Sequence, residues 1–258
     1  MPELLEIEMY RRGAKPVVGR TIAGIETPDD WYLKRTDPDS LRAALVGAKI
    51  ESLGRIGKLM LVETTAATLG LRFGMTGILI VDDTPVIDKL EYWPKRLDPA
   101  WHRFTVYFEG GGRMDMNDPR RLGGVELDPD VARLGFDAWS IDVDELRELF
   151  TRYKVATKAL LLNQKRVAGL GNLLVDELLW RVGVSPLRPA NAVDDEVICE
   201  LASELAPMLD ELYDRGGSHR GDHFTERHDQ GRCPRDGDEM RHATVGGRST
   251  WWCQKHQT

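Results

Sequence analysis

Apolar and polar positions follow two different rhythms along this chain. From Arg20 to Met116 they alternate in short runs bounded by Gly, Asp or Pro, the mark of half-buried strands. Such runs cover Arg20–Thr27, Lys49–Leu53, Leu59–Thr64, Leu69–Leu71, Gly77–Val81, Arg103–Glu109 and Gly112–Met116. A short helix opens the chain, and Asp39–Val46 reads as another with Asp39 or Ser40 as its cap. Strands in succession with little helix between them predict a sandwich or barrel-like first half.

From Asp142 the rhythm becomes helical. Val143–Phe150 is one amphipathic run, and Asn172–Val182 is another, closed by Gly183 and followed by Pro186. A third covers Asp194–Tyr213, with Val197, Ile198, Leu201, Leu205, Leu209 and Leu212 on its apolar stripe. Pro207 is expected to kink it, and Cys199 is read as a small buried hydrophobe beside the stripe. The fold class is therefore α+β. Residues 1–126 form an N-terminal β-sandwich domain with flanking helices, 127–141 a hinge, 142–222 a helical domain and 223–258 a terminal β-hairpin.

Composition narrows the function classes. The chain has 258 residues, 41% apolar and 30% charged, which describes a soluble globular protein of one large domain or two smaller ones. The first residues carry acids and no long apolar run, so neither a signal peptide nor a membrane span is expected. Three cysteines cannot build a secreted disulfide framework, which points to the cytoplasm. A net charge of −7 argues on its face against nucleic acid, but distribution matters more than the sum. Acids gather in Asp128–Glu148 and Asp194–Glu211. Arg152, Lys154, Lys158, Lys165, Arg166 and Arg181 stand against only Asp176 and Glu177 between 152 and 181. The pattern fits one basic face on an acidic body, or two segments of mixed charge.

Three stretches carry chemistry. Loss of Met1 ahead of Pro2 leaves a secondary amine titrating near ~8, a nucleophile at neutral pH. Glu3 beside it can donate or accept a proton; the plainer alternative is a proline and acids at an ordinary helix start. Second, Asn163–Asn172 ends a helical pattern, turns on Gly169 and Gly171 and starts a new helix at Asn172. Two glycines and a helix start can turn several N–H groups towards an anion, with Asn172 as cap and phosphate ligand. Lys165 and Arg166 tilt that anion towards a DNA backbone; an ordinary tight turn is the alternative. Third, Cys233, Asp236, Cys253 and His256 pair at the spacing of a zinc ribbon, with about sixteen residues between the pairs. His228 or His242 are alternatives to Asp236, and a metal-free hairpin held by Trp251 and Trp252 is the other reading. The segment is too short for a core of its own, which favours one structural zinc. Arg248, just before the second strand of this hairpin, can clamp a phosphate.

Taken in order, these motifs resemble the formamidopyrimidine-DNA glycosylase / endonuclease VIII (Fpg/Nei) family of base-excision repair enzymes, over nearly the whole chain. Met1–Leu4 resembles its catalytic terminus, and Gly57-Lys58 before Leu59-Met60-Leu61 its glycine–lysine hairpin. Gly74–Gly77 and Asn117–Arg121 resemble its two lesion-probing loops. Val167–Asn172 resembles its helix–two-turn–helix signature, and Gly247–Cys253 its zinc-finger hairpin. The resemblance implies a bifunctional DNA glycosylase and AP lyase, monomeric, acting on double-stranded DNA with damaged bases or abasic sites. Pro2 is then the nucleophile at C1′, Glu3 the acid that protonates the opening sugar, and Lys58 a cation near the damaged nucleotide. Asn172 and Arg248 grip the flanking phosphates, with Lys165 beside them, while Met75, Arg120 and Leu122 fill the gap left by the flipped base. No cofactor enters the chemistry.

Several positions depart from the family pattern. Leu5 replaces Pro, Arg72-Phe73 replaces His-Leu, and Leu122 replaces an aromatic wedge. About fifteen residues between Gly217 and Cys233 leave little room for a lesion-capping loop. Asp236 and His256 stand where the family usually has Cys. Met75 and Arg120 point to oxidised purines, Leu122 and the short loop to oxidised pyrimidines, and both substrates stay open. The rival functions are a non-catalytic binder of lesions or abasic sites, and a zinc-ribbon protein that binds intact nucleic acid. Retention of Pro2, Glu3 and Lys58 together weighs against the first. The second leaves residues 1–126 without a purpose.

Overall fold

The computed structural model describes residues 2–87 and 97–258. Its elements run α1 (Leu4–Gly13), β1 (Ile22–Glu26), α2 (Pro38–Leu45), β2 (Ile50–Ile56), β3 (Leu59–Thr64), β4 (Thr68–Arg72) and β5 (Ile78–Val81). They continue through β6 (Thr84–Pro85), β7 (His102–Phe108), β8 (Arg113–Asn117), β9 (Gly124–Leu127), β10 (Phe136–Asp137), α3 (Val143–Arg152) and α4 (Thr157–Leu161). The chain closes with β11 (Val167–Ala168), α5 (Asn172–Val182), α6 (Asp195–Asp214), β12 (Met240–Val245) and β13 (Arg248–Cys253). The chain divides into a unit of Pro2 and Glu6–Val131 and a second of Glu3–Leu5 and Ala132–Thr258.

The alternating runs become two antiparallel sheets in the first unit. One has the order β1-β7-β8-β5-β6 and the other β2-β3-β4-β9. Inward residues of both share one core: Ile22, Phe104, Met114 and Leu79 from the first sheet meet Ile50, Met60, Leu71 and Val125 from the second. This is the expected sandwich, flanked by α1 and α2 as their Ile7, Tyr10, Leu41 and Leu45 enter the same core. Tyr10 stacks on Phe73 with ring centroids 4.3 Å apart. Strand β9 was not expected from the pattern. Its run is short, and Gly123 ahead of it and Gly124 at its start mask the alternation. The cap of α2 is Asp37, whose carboxylate accepts from the N–H groups of Asp39 and Ser40, rather than Asp39 or Ser40. Pro38 moves the first helical position forward, because its missing N–H and fixed φ suit that site.

The second unit is helical around one core that includes Leu4, Leu5, Phe150, Leu174, Leu178, Leu201 and Leu209. Helix α3 starts on a capping box in which Asp142 and Glu145 each accept from the other's backbone N–H. Helix α5 ends on Gly183 at φ 84°, where the left-handed backbone favours glycine. Helix α6 runs through the exposed Pro207 to Asp214. Cys199 is exposed, not buried; its sulfur lies 3.7 Å from an Arg147 nitrogen, on the polar side of the stripe. Strands β12 and β13 pair in register from Met240–Cys253 to Val245–Arg248. No helix among the described residues is long and apolar enough to cross a membrane.

The basic run from 152 to 181 is not one face. Helix α5 is buried along most of its length, Asp176 and Glu177 included, and buried carboxylates require partners. Lys158, fully buried, takes Asp176 at 2.6 Å. Arg181 takes Glu177 at 2.8 Å and Glu211 at 2.7 Å. Two of the six cations are thus spent inside the unit, and Lys154 and Lys165 remain exposed.

Candidate active site

In the second unit the site is built on the start of α5. The first N–H groups of any helix lack a partner within it, and here those of Leu173 and Leu174 donate to the two carboxylate oxygens of Glu3 at 2.9 and 3.3 Å. Glu3 is 1% exposed, and the Leu4 N–H donates to the Gly169 carbonyl at 3.1 Å. The expected donors for an external anion are therefore occupied by a side chain, and the Gly169 N–H is taken by Gln164 at 3.0 Å. Gly171, not Asn172, is the N-cap position. It is glycine for a reason of space, because a Cβ there would lie 2.2 Å from the Glu3 carboxyl carbon.

Asn172 turns its amide to the hairpin instead. Its Nδ2 donates to the Ser249 carbonyl at 3.0 Å, and its Oδ1 has no hydrogen-bond partner among the described residues. The same carbonyl accepts from Lys158 at 3.3 Å. Arg227 completes the group, reaching Asp176 at 2.8 Å and the Asn172 carbonyl at 3.5 Å. Burial holds the Lys158 ammonium below the usual lysine range, with Asp176 opposing that shift. Arg248, the neighbour of Ser249, is exposed at the first position of β13, and Lys165 is exposed ahead of β11. Sequence reading missed the roles of Lys158, Asp176 and Arg227. The acids at 176 and 177 inside a largely apolar helix are the signal that was available.

In the first unit Pro2 is buried, and Lys58 is half-buried in the turn joining β2 to β3. Gly57 makes that turn at φ 53°, and the Arg55 side chain donates to its carbonyl at 3.0 Å. The two expected lesion loops are brought together by Asp118, which is fully buried. Its carboxylate accepts from the Thr76 hydroxyl at 2.6 Å, the Gly123 N–H at 2.8 Å and the Arg120 N–H at 3.2 Å. Its own carbonyl takes the Arg103 side chain at 2.9 Å. Gly74 approaches the Leu122 backbone so closely that a Cβ would lie 2.4 Å from it. Met75 is half-buried, Arg120 is exposed and Leu122 is 50% exposed. Asp118 was legible only as a letter inside a motif; its role as a hub needs the fold.

Cys233, Asp236, Cys253 and His256 offer ligand atoms that all lie within 4.8 Å of one another. His256 Nδ1 is 2.9 Å from Asp236 and 3.7 Å from the Cys233 sulfur, and the Cys253 sulfur is 3.3 Å from Asp236. These separations suit four ligands about 2.0–2.3 Å from one cation. The outer partners suit it as well: His256 Nε2 faces the Trp180 carbonyl at 3.3 Å, leaving Nδ1 for a metal, and Trp180 Nε1 donates to the Cys233 sulfur at 3.3 Å. Burial pushes the Cys253 thiol up to about 11, a proton that a bound cation displaces. The four residues could hold a metal ion. His228 lies elsewhere, beside the Asp229 carbonyl, and His242 stacks on Trp251 at 4.3 Å.

Comparison with known proteins finds relatives over the whole chain. Residues 1–125 match the model of the formamidopyrimidine-DNA glycosylase N-terminal domain, and residues 134–221 match that of the formamidopyrimidine-DNA glycosylase H2TH domain. A formamidopyrimidine-DNA glycosylase of Paracoccus denitrificans is 34% identical over 86% of this chain and 82% of its own length. The chain belongs to the formamidopyrimidine-DNA glycosylase family. A family member from Stenotrophomonas maltophilia is 30% identical over the full length of both chains. Among solved structures, Lactococcus lactis Fpg in complex with abasic-site DNA superposes with a TM-score of 0.82, at 26% identity and over 100% of both chains. The same Fpg bound to DNA containing N7-benzyl-Fapy-dG also gives 0.82, over 99% of each.

Proposed function

We propose that this chain is a bifunctional DNA glycosylase and AP lyase of base-excision repair, acting on double-stranded DNA that carries damaged bases or abasic sites. The relatives named above supply the substrate class. The observation that carries the mechanism is the Glu3 carboxylate: it adjoins Pro2 in sequence, is buried, and is fixed on the start of α5 by two N–H groups. A group held this rigidly is a general acid of defined position.

With Met1 removed, the Pro2 nitrogen attacks C1′ of the damaged nucleotide. The N-glycosyl bond breaks with its electron pair leaving on the base, which takes up a proton from water. The Glu3 carboxylate takes the proton that the Pro2 nitrogen loses on bonding to C1′ and gives it to the sugar ring oxygen as the ring opens, and an iminium joins protein and sugar. Loss of a C2′ proton then expels the 3′ phosphate, and a second elimination expels the 5′ phosphate. Lys58 supplies positive charge near the nucleotide. Arg248 and Asn172 take flanking phosphates, Asn172 by turning its Nδ2 from Ser249 towards DNA, and Lys165 meets the backbone nearby. Met75, Arg120 and Leu122 occupy the space of the extruded base. Zinc bound by Cys233, Asp236, Cys253 and His256 has a structural part only, holding the hairpin that presents Arg248. The absence of a long apolar helix among the described residues and three unpaired cysteines support a place in the cytoplasm, with the chromosome.

Borohydride reduction on an abasic duplex tests the covalent step. The expected result is a protein–DNA cross-link that Pro2→Gly weakens strongly while duplex affinity stays within about twofold, well under the tenfold that ~1.4 kcal/mol represents. Equal loss of trapping and affinity would mean that Pro2 serves folding and not nucleophilic attack.

A further inference from the structure

The loop ahead of α2 carries an aromatic side chain that no role described above uses. Trp31 is 67% exposed, although indole area is ordinarily buried or stacked. It borders a groove of about 600 Å³ in the first unit, walled by Lys34, Arg35, Arg72, Leu122 and Glu126 among others. The Lys34 ammonium lies 4.7 Å from the centre of the indole and donates to the Trp31 carbonyl at 2.6 Å. Arg35 and Arg72 both pair with the buried Glu126, at 3.1 and 3.3 Å. A single carboxylate fixes two guanidiniums at the groove and can neutralise only one of them.

The loop is anchored to the segment that carries Leu122. Both oxygens of Asp29 hold the Arg121 guanidinium, at 2.6 and 2.7 Å. The Lys34 N–H donates to the Val125 carbonyl at 2.7 Å, and Leu33 forms a parallel bridge with Val125. Tyr32 is fully buried, its hydroxyl 2.4 Å from where a Cβ on Gly123 would stand. Trp31 is therefore preorganised next to the half-exposed Leu122. A fixed, solvated indole with one cation beside its ring and others along the same groove is how proteins stack a base while meeting its phosphate.

We infer that this groove receives the unpaired nucleobase left opposite the lesion, stacked on Trp31 with its phosphate near Lys34 and Arg35. The inference rests on the glycosylase reading, in which Leu122 enters the gap of the extruded nucleotide. The base within reach of Leu122 is then the one that has lost its partner. Asp30 also lines the groove, so Lys34, Arg35 and Arg72 face two carboxylates. The one positive charge left over and an exposed indole match a base with its phosphate better than they match an apolar peptide.

The test places 2-aminopurine opposite a tetrahydrofuran abasic analogue in a duplex. Wild-type protein is expected to quench its fluorescence on binding. Trp31→Ala should leave the probe bright and bind about tenfold more weakly, and Trp31→Phe should restore most of the quench. Trp31 is largely in solvent, so the substitution removes little packing. Equal quenching and affinity in Trp31→Ala overturn the inference, as does quenching only when 2-aminopurine sits beside the lesion in the damaged strand. A wild-type protein that neither prefers the abasic duplex nor traps with borohydride overturns the glycosylase reading, and this inference with it. Trapping that persists while Trp31→Ala matches wild type in quenching removes the inference alone.

Discussion

Gly171→Ala isolates the position of one carboxylate. The backbone at 171 is extended, φ −123° and ψ −164°, so alanine fits it without strain. The added methyl would sit 2.2 Å from the Glu3 carboxyl carbon and 2.4 and 2.5 Å from its oxygens. Ordinary contact begins near 3.4 Å, so the carboxylate must withdraw by about 1 Å and release the Leu173 and Leu174 N–H groups. Loss of such a cap costs about 1–2 kcal/mol, a fall of roughly 2–8 °C in Tm for a chain of this size. If Glu3 is the proton donor, a 1 Å displacement should slow single-turnover base excision by about 100-fold. Borohydride trapping on a preformed abasic site should fall far less, because Pro2 keeps its amine. Excision at the wild-type rate in a variant whose Tm has dropped would show that the place of Glu3 is not needed for catalysis. An unchanged Tm would refute the capping argument itself.

Two further outcomes follow from buried charge and from the Cys-Asp-Cys-His cluster. Burial opposes ionisation of Glu177, but His223 at 2.8 Å and Arg181 outweigh it and bring its carboxyl down to about 2 from 4.5. A lowered folded-state value stabilises above the unfolded value and is lost as pH falls towards the folded one. Glu177 should thus contribute roughly 3 kcal/mol at pH 6, fading between about pH 4.5 and 2. The Tm gap between wild type and Glu177→Gln should narrow over that window, and a gap independent of pH refutes the account. Removing metal with a chelator should lower Tm and shift the emission of Trp180, which donates to Cys233. Elemental analysis finding no metal in active protein, with no response to chelator, would refute the metal assignment.

Much of the architecture was legible because the alternation is strict where one face of a sheet is buried. Leu59–Thr64 was read to the residue, and the Asn172–Val182 helix announces its end with Gly183. The failures share a cause. Asp37 caps α2 because Pro38 follows it, a local effect stronger than the general preference for Ser. Cys199 sits near an apolar stripe, but three or four positions of helix span both faces and the pattern cannot place its edge. Lys158 and Arg181 read as surface charge in the sequence because their acids, Asp176 and Glu177, occupy a helix that is buried only in the folded chain. At the site, the motifs named Glu3 and Asn172, but not that Glu3 occupies the helix donors while Asn172 holds a hairpin carbonyl. Those partners lie 170 and 77 residues away, beyond any periodicity.

The single carboxylate of Asp118 has a consequence for anyone who would redesign lesion choice. Thr76, Arg120 and Gly123 hang from it, so the segments bearing Met75 and Leu122 behave as one mechanical part. Grafting 74–77 alone from a relative without a hydroxyl at position 76 would take from this buried negative charge the one donor that ties the two segments together. New preference should arise only when 74–77 and 117–123 are transplanted together, as a matched pair.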